Sequence, residues 1–500
     1  MKIVTARQMA ELDRRTTVEA GISEKTLIAR AGRAAADWIR RRYPARQWRI
    51  LVLAGKGNNG ADGLVAARWL KRSGYSIVVV KIWKTGPGRV FQGAPRPRPG
   101  SDRRLLIIDA MFGTGLNRPL TGPFLAWVEW VNTSRAEVVS LDIPSGLHAD
   151  TGKPLGAAVI ARHTLTFGLA KLGLIHEHAA DCVGELHLLD IGFPPRIVDE
   201  IETACDLIAS DELSPLFPRR KRSSHKGTWG RVLVVSGSVG LAGAPVLAAR
   251  AALRAGAGLV TLVVPRAIYM IAARLAGPEV MVHPLGTSHT GCFERSHAKS
   301  LESLLAPAQA LVIGPGLGQN AKSRAFAKTL IQSADLPMVL DAGALNLLAG
   351  ETAILRKARR DVILTPHPGE MARLTGMTTR QVQQDRLGVA ARFAREHGVT
   401  VVLKGCRTVI AHPPGGDRIR LSINALAGNP GMATGGMGDA LAGVIGALLA
   451  RGLSPTDAAR AGVFFHTRAG DLGLPETGGG TASELIERLP QALAELCARA

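Results

Sequence analysis

Cysteine, aromatic residues and acidic residues are all scarce in this chain of 500 residues. The five cysteines are scattered, and none forms a Cys-X-X-Cys pair or stands at metal-ligand spacing, which predicts reduced thiols in a cytoplasmic protein. Phenylalanine, tryptophan and tyrosine together make up 4% of the residues. That low content argues against the aromatic platforms on which single-stranded nucleic acids stack.

A long uninterrupted apolar run is also missing. The most apolar stretch, residues 232–264, contains Arg250, Arg254 and several glycines, which predict a strand, a loop, a helix and a second strand instead of a membrane span. The first residues are amphipathic and charged, unlike a signal peptide. We therefore expect no membrane partner. The sequence also shows no short-period repeat, which disfavours a solenoid.

Basic residues exceed acidic residues by 62 to 40, which gives a formal net charge of +22. Such a charge is typical of proteins that bind nucleic acids, membrane surfaces or small anions. The basic residues are spread along the chain apart from residues 40–42 and 219–222, which favours surplus surface charge and no nucleic-acid partner. A nucleic-acid-binding protein with salt-dependent affinity remains the alternative that is not an enzyme.

Apolar runs alternate with helical patterns along the whole chain, which predicts two α/β domains built from β-α-β units. We place the domains at residues 1–212 and 225–500, joined by an exposed basic linker at 213–224. The stretch 85–104 is rich in glycine, proline and arginine and predicts a mobile loop in the first domain. The predicted strands cover residues 50–53, 77–82, 105–109, 138–142, 186–191, 231–235, 259–264, 310–313, 338–341, 362–365 and 400–404.

Three polar loops follow predicted strands of the first domain, at residues 54–70, 109–120 and 141–146. The first loop is rich in glycine but matches neither the GxxxxGK[ST] phosphate loop nor the GxGxxG fingerprint. Because the carboxyl ends of parallel strands meet at one edge of a sheet, the loops should converge. They would then gather an all-oxygen set suited to an alkali or alkaline-earth cation, or a carboxylate base, whereas the plainer interpretation is ordinary turns. The set is Asn59, Asp109, Asp142 and Ser145.

In the second domain, Gly435, Gly436 and Gly438 lead directly into Asp439 and an apolar helix pattern. Free N–H groups at such a helix start can hold a phosphate, and Asp439 beside it can take a proton from an attacking hydroxyl. A tight turn capped by an aspartate is the alternative interpretation of the same residues.

The three loops of the first domain, together with TARQMAELD and LIARAG near the amino terminus, resemble the NAD(P)H-hydrate epimerase family. The resemblance implies a Rossmann-like parallel sheet with flanking helices, a catalytic Asp142, and a potassium ion held by Asn59, Asp109 and Ser145. The contacts that it implies for the hydrated nucleotide are Asn58, Asn59, Gly60, Ala61, Asp62, Gly113, Thr114, Gly115, Leu116, Asn117, Arg118, Pro119 and Asp142.

The second domain carries GPGLG, LDAGALNLL, TPHPGEMARL, KGCRT and GGMGDALAG in that order. This succession resembles the ADP/ATP-dependent NAD(P)H-hydrate dehydratase family, which has a ribokinase-like α/β fold. The resemblance implies ADP as phosphoryl donor, with magnesium, and Asp439 as the catalytic residue. The implied hydrate contacts are Ala244, Gly318, His367 and Asp439, and the implied nucleotide contacts are Lys404, Gly405, Cys406, Arg407, Thr408 and Gly438.

The two resemblances together predict a bifunctional repair enzyme that epimerises R- and S-NAD(P)HX and dehydrates the S form, giving AMP and phosphate from ADP. NAD(P)HX and ADP are the small-molecule partners, and we also expect a homo-oligomer. The enzyme alternative is a ribokinase-like kinase of a vitamin precursor, with a nucleotide-sensing first domain. His367 can equally be a structural hydrogen-bonding residue, and Asp341 either belongs to the site or caps its strand.

The chain departs from these family patterns in three places. Ala61 replaces a second glycine of the loop, which is harmless where its φ is negative. The connection at 85–104 is shorter than the helix-containing connection usual in the family, which would remove one wall of the epimerase pocket. Gly343 replaces a second acidic residue, which removes an auxiliary carboxylate but leaves Asp439 in place.

Overall fold

A computed structural model describes residues 1–83, 104–287, 289, 291–413, 419–475 and 478–497. The chain forms two compact units, Met1–Leu207 and Ile208–Ala500, which are called the first and the second unit below. The connection predicted to be shortened, 85–104, lies outside the described residues except for Arg104. Among the described helices, none combines the length and apolar character needed to cross a bilayer.

The first unit is an α/β domain. Its strands are β1 (Ile3–Val4), β2 (Trp48–Ala54), β3 (Ser76–Lys81), β4 (Arg104–Ala110), β5 (Glu137–Leu141), β6 (His163–Phe167), β7 (Ala170–Lys171), β8 (Glu185–Leu189) and β9 (Cys205–Leu207). Its helices are α1 (Ala6–Ala20), α2 (Glu24–Arg42), α3 (Asn58–Arg72), α4 (Pro123–Thr133), α5 (Ala180–Val183) and α6 (Pro195–Glu200), with short 3₁₀ segments at Leu172–Ile175 and Glu177–Ala179.

Six strands of this unit form one sheet in the order β3-β2-β4-β5-β6-β8, and every neighbouring pair is parallel. Apolar clusters cover both faces of the sheet, which explains why β2 and β4 are almost continuously apolar in sequence. The strand order reverses at β2 and β4, because β3 lies on one side of β2 and β4 on the other. The loops that follow β2 and β4 therefore open a crevice at the carboxyl edge, where open parallel sheets bind ligands.

The second unit is a larger α/β domain. Its strands are β10 (Arg231–Val235), β11 (Leu259–Pro265), β12 (Met281–Leu285), β13 (Ala310–Ile313), β14 (Met338–Leu340), β15 (Val362–Leu364), β16 (Thr400–Leu403), β17 (Thr408–Ala411) and β18 (Leu421–Asn424). Its helices are α7 (Ser210–Leu213), α8 (Gly243–Arg254), α9 (Tyr269–Ala276), α10 (Glu302–Leu305), α11 (Ala321–Ser333), α12 (Gly343–Leu348), α13 (Pro368–Thr375), α14 (Thr379–Gln384), α15 (Arg386–His397), α16 (Met437–Ala450), α17 (Pro455–Gly473) and α18 (Ala482–Cys497). Short 3₁₀ segments lie at Ser214–Leu216, Lys226–Trp229, Arg266–Ile268, Arg295–Leu301, Thr352–Lys357 and Pro430–Met432.

The nine strands of this unit lie side by side in the order β12-β11-β10-β13-β14-β15-β16-β17-β18. The pairs from β12 to β16 are parallel, and β17 and β18 extend the sheet as an antiparallel hairpin on β16. The order reverses between β10 and β13, so the loops after these strands also open a crevice. Helix α16 crosses α8 closely, because a Cβ on Gly443 would lie 2.0 Å from the carbonyl oxygen of Ala248.

The predicted fold class, two α/β domains with parallel sheets, is confirmed. The predicted strands all exist, and those at 231–235 and 310–313 have the observed bounds. The sequence missed several strands, which are short or carry polar residues. They are β1, β6, β7, β9, β12, β17 and β18.

The boundary between the units differs from the predicted one. The second unit already begins at Ile208, and residues 213–224 belong to it instead of forming a free linker. Leu213 and Phe217 are completely buried, and the Phe217 ring lies 5.3 Å from the ring of Phe465. The Arg220 guanidinium stacks on Trp229 at 4.2 Å. Charges and prolines in this stretch suggested a linker, but its two apolar side chains anchor it to the core.

Replacing Phe217 by alanine should lower the free energy of unfolding of the second unit by about 3–5 kcal/mol, since a fully buried aromatic ring leaves a cavity. Urea unfolding followed by hydrogen exchange in α16 and α17 would measure the loss. Pro218→Ala, at the exposed neighbouring position, serves as the control and should leave stability nearly unchanged. Equal stability of both variants would restore the linker interpretation.

Candidate active sites

The three polar loops of the first unit meet at the carboxyl edge of β2, β4 and β5, as their order in the sequence predicted. The Asn59 side chain, in the first turn of α3, donates hydrogen bonds to the carbonyl oxygens of Phe112 at 2.7 Å and Leu141 at 3.0 Å. Gly113 approaches the third loop so closely that a Cβ there would lie 3.0 Å from Asp142 Oδ2. One amide side chain and one glycine therefore tie the loops into a single pocket.

Asp109 lies at the end of β4 and is completely buried. Its carboxylate accepts hydrogen bonds from the hydroxyls of Ser145 at 2.6 Å and Ser140 at 2.8 Å, and from the backbone N–H groups of Ser145 and Met111. Burial raises the pKa of Asp109, although these hydrogen bonds oppose the shift. Asp109 therefore holds the LDIPSG loop against the sheet.

A potassium ion at this place would need oxygen ligands, and the residues fit that requirement in part. Asn59 Oδ1 is buried and receives no hydrogen bond from the described part of the chain, which suits a cation ligand. The Asp109 oxygens are already engaged by four donors, and the Ser145 hydroxyl accepts the N–H of Phe112 while it donates to Asp109. The amide oxygen of Asn59 is therefore the ligand best supported by the structure.

Asp142 lies immediately after β5 in a left-handed conformation with φ of 64°, which is uncommon outside glycine. Its carboxylate pairs with the ammonium of Lys171 at 2.7 Å. Lys171 is only 1% exposed, and it also donates to Thr166 Oγ1 and to the carbonyl oxygen of Phe167, both at 3.0 Å. This buried ion pair fixes Asp142 in the pocket, and the sequence alone did not predict it.

Asp62 is a second buried acid of this pocket, on the inner face of α3. Burial, reinforced by the charge of Asp142, raises the pKa of Asp62 well above its ordinary range. The shift favours the protonated form of Asp62, which can donate a hydrogen bond. The Asn58 side chain, by contrast, donates to Glu24 at 2.6 Å on the exposed side of the helix.

The remaining predicted contacts of the first unit lie on its two glycine-containing loops. Gly60 packs against the chain, since a Cβ there would lie 1.9 Å from the carbonyl oxygen of Gly55. Ala61 lies inside helix α3 and donates its N–H to Gly57, so replacement of the family's glycine introduces no backbone strain. The segment after Gly113 forms the outer rim, with Thr114 and Leu116 half-buried. Its exposed members are Gly115, Asn117, Arg118 and Pro119.

In the second unit, a half-buried lysine lies among three carboxylates from three elements. Lys404, just after β16, pairs with Asp341 at 2.8 Å and lies 3.9 Å from Glu370. Although burial opposes its charge, Asp341, Glu370 and Asp439 together raise the pKa of Lys404. Asp341 also accepts a hydrogen bond from Thr365 at 2.7 Å, and its Oδ2 atom has no hydrogen-bond partner within the described residues. Asp341 therefore belongs to the site.

Asp439 lies in the first turn of α16, as the sequence predicted. Burial, followed by the charges of Asp341 and Glu370, raises the pKa of Asp439 to about 7, and Lys404 only partly offsets this. Gly438 leaves room for the lysine, since a Cβ there would lie 2.9 Å from Lys404 Nζ. The carboxyl therefore titrates in the range where a general base works best.

The KGCRT loop is supported from inside the protein. The buried Arg386 donates to the carbonyl oxygens of Leu403 at 3.1 Å and Lys404 at 3.3 Å, and packs where a Cβ on Gly405 would lie. Arg407 is also buried, has a φ of 61°, and donates to the carbonyl oxygen of Ala425. The guanidinium of Arg407 therefore points into the core, so a nucleotide would meet its backbone.

Two further residues of this loop differ in exposure. Cys406 is exposed, whereas Thr408 is largely buried and donates its hydroxyl to the carbonyl oxygen of Gly405 at 3.0 Å. That hydroxyl closes the turn. The surface left for a nucleotide therefore consists mainly of backbone, together with Cys406.

His367 serves as the N-cap of α13. Its Nδ1 atom accepts the N–H groups of Gly369 at 3.0 Å and Glu370 at 3.4 Å, and Glu370 in turn accepts the N–H of His367 at 2.8 Å. Burial lowers the pKa of His367. The Nδ1 atom of His367 is therefore a structural hydrogen-bonding group, as one of the two interpretations predicted. The side chain is 51% exposed, so the rest of the ring is accessible to a ligand.

Three small residues line the crevice between β10, β13 and β14. Ala244 lies in the first turn of α8, and Gly318 follows β13, where a Cβ would make ordinary contacts at 3.4 Å with Ser238. At Gly343 a Cβ would lie 2.6 Å from the carbonyl oxygen of Leu317. The structure thus has no room for the second acidic residue that the family pattern contains.

Several members of the two sites were missed by the sequence analysis. Lys171 was missed because neither β6 nor β7, the short strand that contains it, was predicted. Glu370 had a usable signal, since a capping residue followed three positions later by glutamate is typical of a helix start. Arg386 gave no signal, because an arginine in a polar helix is ordinarily exposed.

The fold and the sites define a two-domain α/β enzyme, with one polar pocket at the carboxyl edge of each parallel sheet. The family model for NAD(P)H-hydrate dehydratase matches residues 232–491, and that for the YjeF-related protein N-terminus matches residues 24–173. The chain is 40% identical to the bifunctional NAD(P)H-hydrate repair enzyme Nnr of Moorella thermoacetica, over 99% of this chain and 97% of that protein. The chain belongs to the family of bifunctional NAD(P)H-hydrate repair enzymes.

Two further bifunctional NAD(P)H-hydrate repair enzymes are similar to most of this chain. The corresponding enzyme of Coxiella burnetii is 38% identical over 97% of both chains, and that of Escherichia coli is 39% identical over 90% of this chain and 86% of its own. A crystal structure of the ADP/ATP-dependent NAD(P)H-hydrate dehydratase from Bacillus subtilis, co-crystallized with ATP/Mg2+, is 30% identical with a TM-score of 0.47. It covers 58% of this chain and 98% of that chain.

Replacing Lys171 by methionine should destabilise the first unit by about 3–5 kcal/mol, because the carboxylate of Asp142 would lose its buried partner. Six of the seven tryptophans lie in the first unit, so urea unfolding followed by tryptophan fluorescence reports on it. Lys153→Met, at an exposed position, is the matched control. Equal midpoints for the two variants would show that the ion pair is dispensable.

Proposed function

We propose that the second unit dehydrates S-NAD(P)HX by phosphorylating the hydroxyl of the hydrated ring, with ADP as donor, and that the first unit interconverts the R and S epimers. The observation that carries the proposal is the position of Asp439. This carboxyl, with a pKa of about 7, lies at a glycine-rich helix start beside Lys404 and Asp341. Full-length similarity to the bifunctional repair enzymes supports the pairing of the two activities.

The reaction needs phosphorylation because hydroxide is a poor leaving group. The ring hydroxyl attacks the terminal phosphoryl group of ADP, a P–O bond to the ring oxygen forms, and the P–O bond to AMP breaks. The hydroxyl proton passes to Asp439. The lone pair of the ring nitrogen then expels phosphate, and loss of a ring proton restores the dihydropyridine. The products are NAD(P)H, AMP and phosphate.

The residues around Asp439 suit this step. The N–H groups of Gly435, Gly436 and Gly438 lie at the start of α16, where the helix dipole favours the charge that spreads over the transferred phosphoryl group. Lys404 places a positive charge beside Asp439 and leaves its carboxyl able to exchange a proton near neutral pH. The KGCRT loop would hold the nucleotide through its backbone, with Cys406 at its surface.

Magnesium would accompany the nucleotide. The carboxylates of Asp341 and Glu370 are turned towards the Lys404 ammonium, which occupies the place that a metal held by protein carboxylates would need. The fit therefore favours magnesium bound through the phosphates, where it neutralises their charge. If the protein supplied one ligand to the magnesium ion, Asp341 Oδ2 would suit it, because this oxygen has no hydrogen-bond partner in the described part of the site.

For the epimerase we propose Asp142 as the catalytic residue and Asp62 as a hydrogen-bond donor in the same pocket. Lys171 holds Asp142 at 2.7 Å, and the charge of Asp142 in turn favours the protonated form of Asp62. Two neighbouring carboxyls in different surroundings can serve as an acid and a base. A potassium ion near Asn59 would orient the hydrate through its oxygen atoms.

The dehydration rate should fall as the pH drops through about 7, because protonated Asp439 cannot accept the hydroxyl proton. Asp439→Asn should remove at least about a hundredfold of the turnover. The assay mixes the pure chain with S-NADHX and ADP and follows the absorbance of the reduced ring. If the chain recovered no NADH under these conditions, or if the asparagine variant kept its turnover, the proposed reaction would be wrong.

The thermal stability of Asp439→Asn shows whether its loss of turnover comes from misfolding. The pKa of Asp439 is raised on folding, so its carboxyl costs stability once the pH rises above its ordinary value of 3.8, and the cost grows until about pH 7. Asp439→Asn should therefore be inactive and at the same time unfold at a higher temperature than the parent at pH 8. Asp335→Asn, which removes an exposed carboxylate, is the control and should keep full turnover.

Asp142→Asn should stop epimerisation and leave dehydration of the S hydrate unchanged, since the two activities belong to separate compact units. The measurement supplies R-NADHX or S-NADHX with excess ADP and compares the yields of NADH. Asp181→Asn, an exposed change in α5 of the same unit, is the control. Loss of both activities in Asp142→Asn would contradict the assignment of one activity to each unit.

A further inference from the structure

Three side chains of the metal-ligand type share one face of the first unit's sheet. In the parallel pair β6–β8, His163 lies opposite Glu185, and Leu165 lies opposite His187. Because side chains two residues apart point to the same side of a strand, Glu185 and His187 lie on one face, together with His163. Within the described residues, these three form the one group of at least three such side chains at ligand distance.

The spacing of their atoms suits a bound metal ion. His163 Nδ1 lies 3.2 Å from His187 Nε2 and 3.4 Å from Glu185 Oε2, and the last two atoms lie 3.5 Å apart. Ligands bound tetrahedrally to Zn²⁺ at their usual bond lengths are separated by about 3.3–3.4 Å. The three atoms therefore already stand at the corners that a single ion would require.

We propose that His163, Glu185 and His187 form a binding site for a divalent transition metal, with Zn²⁺ as the best fit. Two imidazoles and one carboxylate are ligands that this class of metal prefers over magnesium or potassium. His187 and Glu185 are partly exposed, so the fourth position is open to water. The site lies at the amino ends of β6 and β8, at the opposite edge of the sheet from the Asp142 pocket, and does not depend on the proposed reaction.

The surroundings orient the ligands. Trp38 of α2 packs against both imidazole rings, with ring centroids 5.1 Å from His163 and 4.7 Å from His187. Glu137 lies 3.9 Å from His163 Nε2, the ring nitrogen turned away from the cluster, and accepts the hydroxyl of Tyr43. A carboxylate behind the second nitrogen of a ligating histidine is a common feature of metal sites.

The competing interpretation is a hydrogen-bonded cluster that binds no metal. Arg42 donates to Glu185 at 3.2 Å, and Arg162 lies 3.8 Å from the same carboxylate. The two histidines also hydrogen-bond to each other when one is a donor and the other an acceptor. Both interpretations explain the contacts, but they differ in whether the chain takes up a metal.

Isothermal titration of the full-length chain with Zn²⁺, after removal of bound metals by a chelator, tests the proposal. We expect the parent chain to bind one Zn²⁺. His187→Gln should lower the affinity for this ion by roughly 10–100-fold or abolish its binding. Glu185→Gln should lower the zinc affinity in the same way. Agreement of the two variants would show that the loss does not come from a folding defect of one of them. Titration with Co²⁺ should give the visible absorption of a tetrahedral site in the parent chain alone.

His178→Gln is the matched control, because His178 is exposed and stacks on the half-buried His176 elsewhere in the same unit. Exposed thiols bind zinc equally in all these proteins, so the difference between the His187 and His178 variants measures the proposed site. Zinc uptake that is the same in the parent, His187→Gln and Glu185→Gln would overturn the proposal. So would a parent chain that takes up no zinc.

Discussion

A lysine ammonium buried against an aspartate lies at the carboxyl edge of each sheet. Lys171 pairs with Asp142 at 2.7 Å in the first unit, and Lys404 pairs with Asp341 at 2.8 Å in the second. Removing either charge from water is costly, and only the partner together with further hydrogen bonds compensates for the cost. Each pair therefore helps to hold the loops that carry its two residues in one arrangement.

Each pocket holds one further acid that is buried beside other carboxylates, and both effects raise its pKa. In the second unit, burial and the charges of Asp341 and Glu370 raise the pKa of Asp439 to about 7, and the single ammonium of Lys404 only partly offsets this shift. In the first unit, burial together with the charge of Asp142 raises the pKa of Asp62, and Lys171 partly opposes the shift. Burial beside a charged neighbour thus separates the affinity of one carboxyl for protons from that of an ordinary exposed carboxyl.

The sequence was most informative where local chemistry dictates structure. Continuous apolar runs such as residues 231–235 predicted buried parallel strands, and the polar residues that follow them predicted the pockets. Strand β6 was missed because HTLTF alternates polar and apolar residues although both faces are buried. Lys171 was missed as well, because it lies in β7, a strand of two residues without an apolar run, and only the fold brings it to Asp142. Phe217 was misjudged because burial of one ring outweighs the polar composition around it.

The position of Asp439 also depends on the helix that carries it. A carboxyl held near two others is repelled from the site, so its backbone must be fixed by something stronger than the local electrostatics. Helix α16 is buried on nearly all sides, and Gly443 sets its depth, because any larger residue would collide with the carbonyl oxygen of Ala248. The apolar packing of α16 therefore holds the Asp439 carboxyl in a position that electrostatic interactions alone would disfavour.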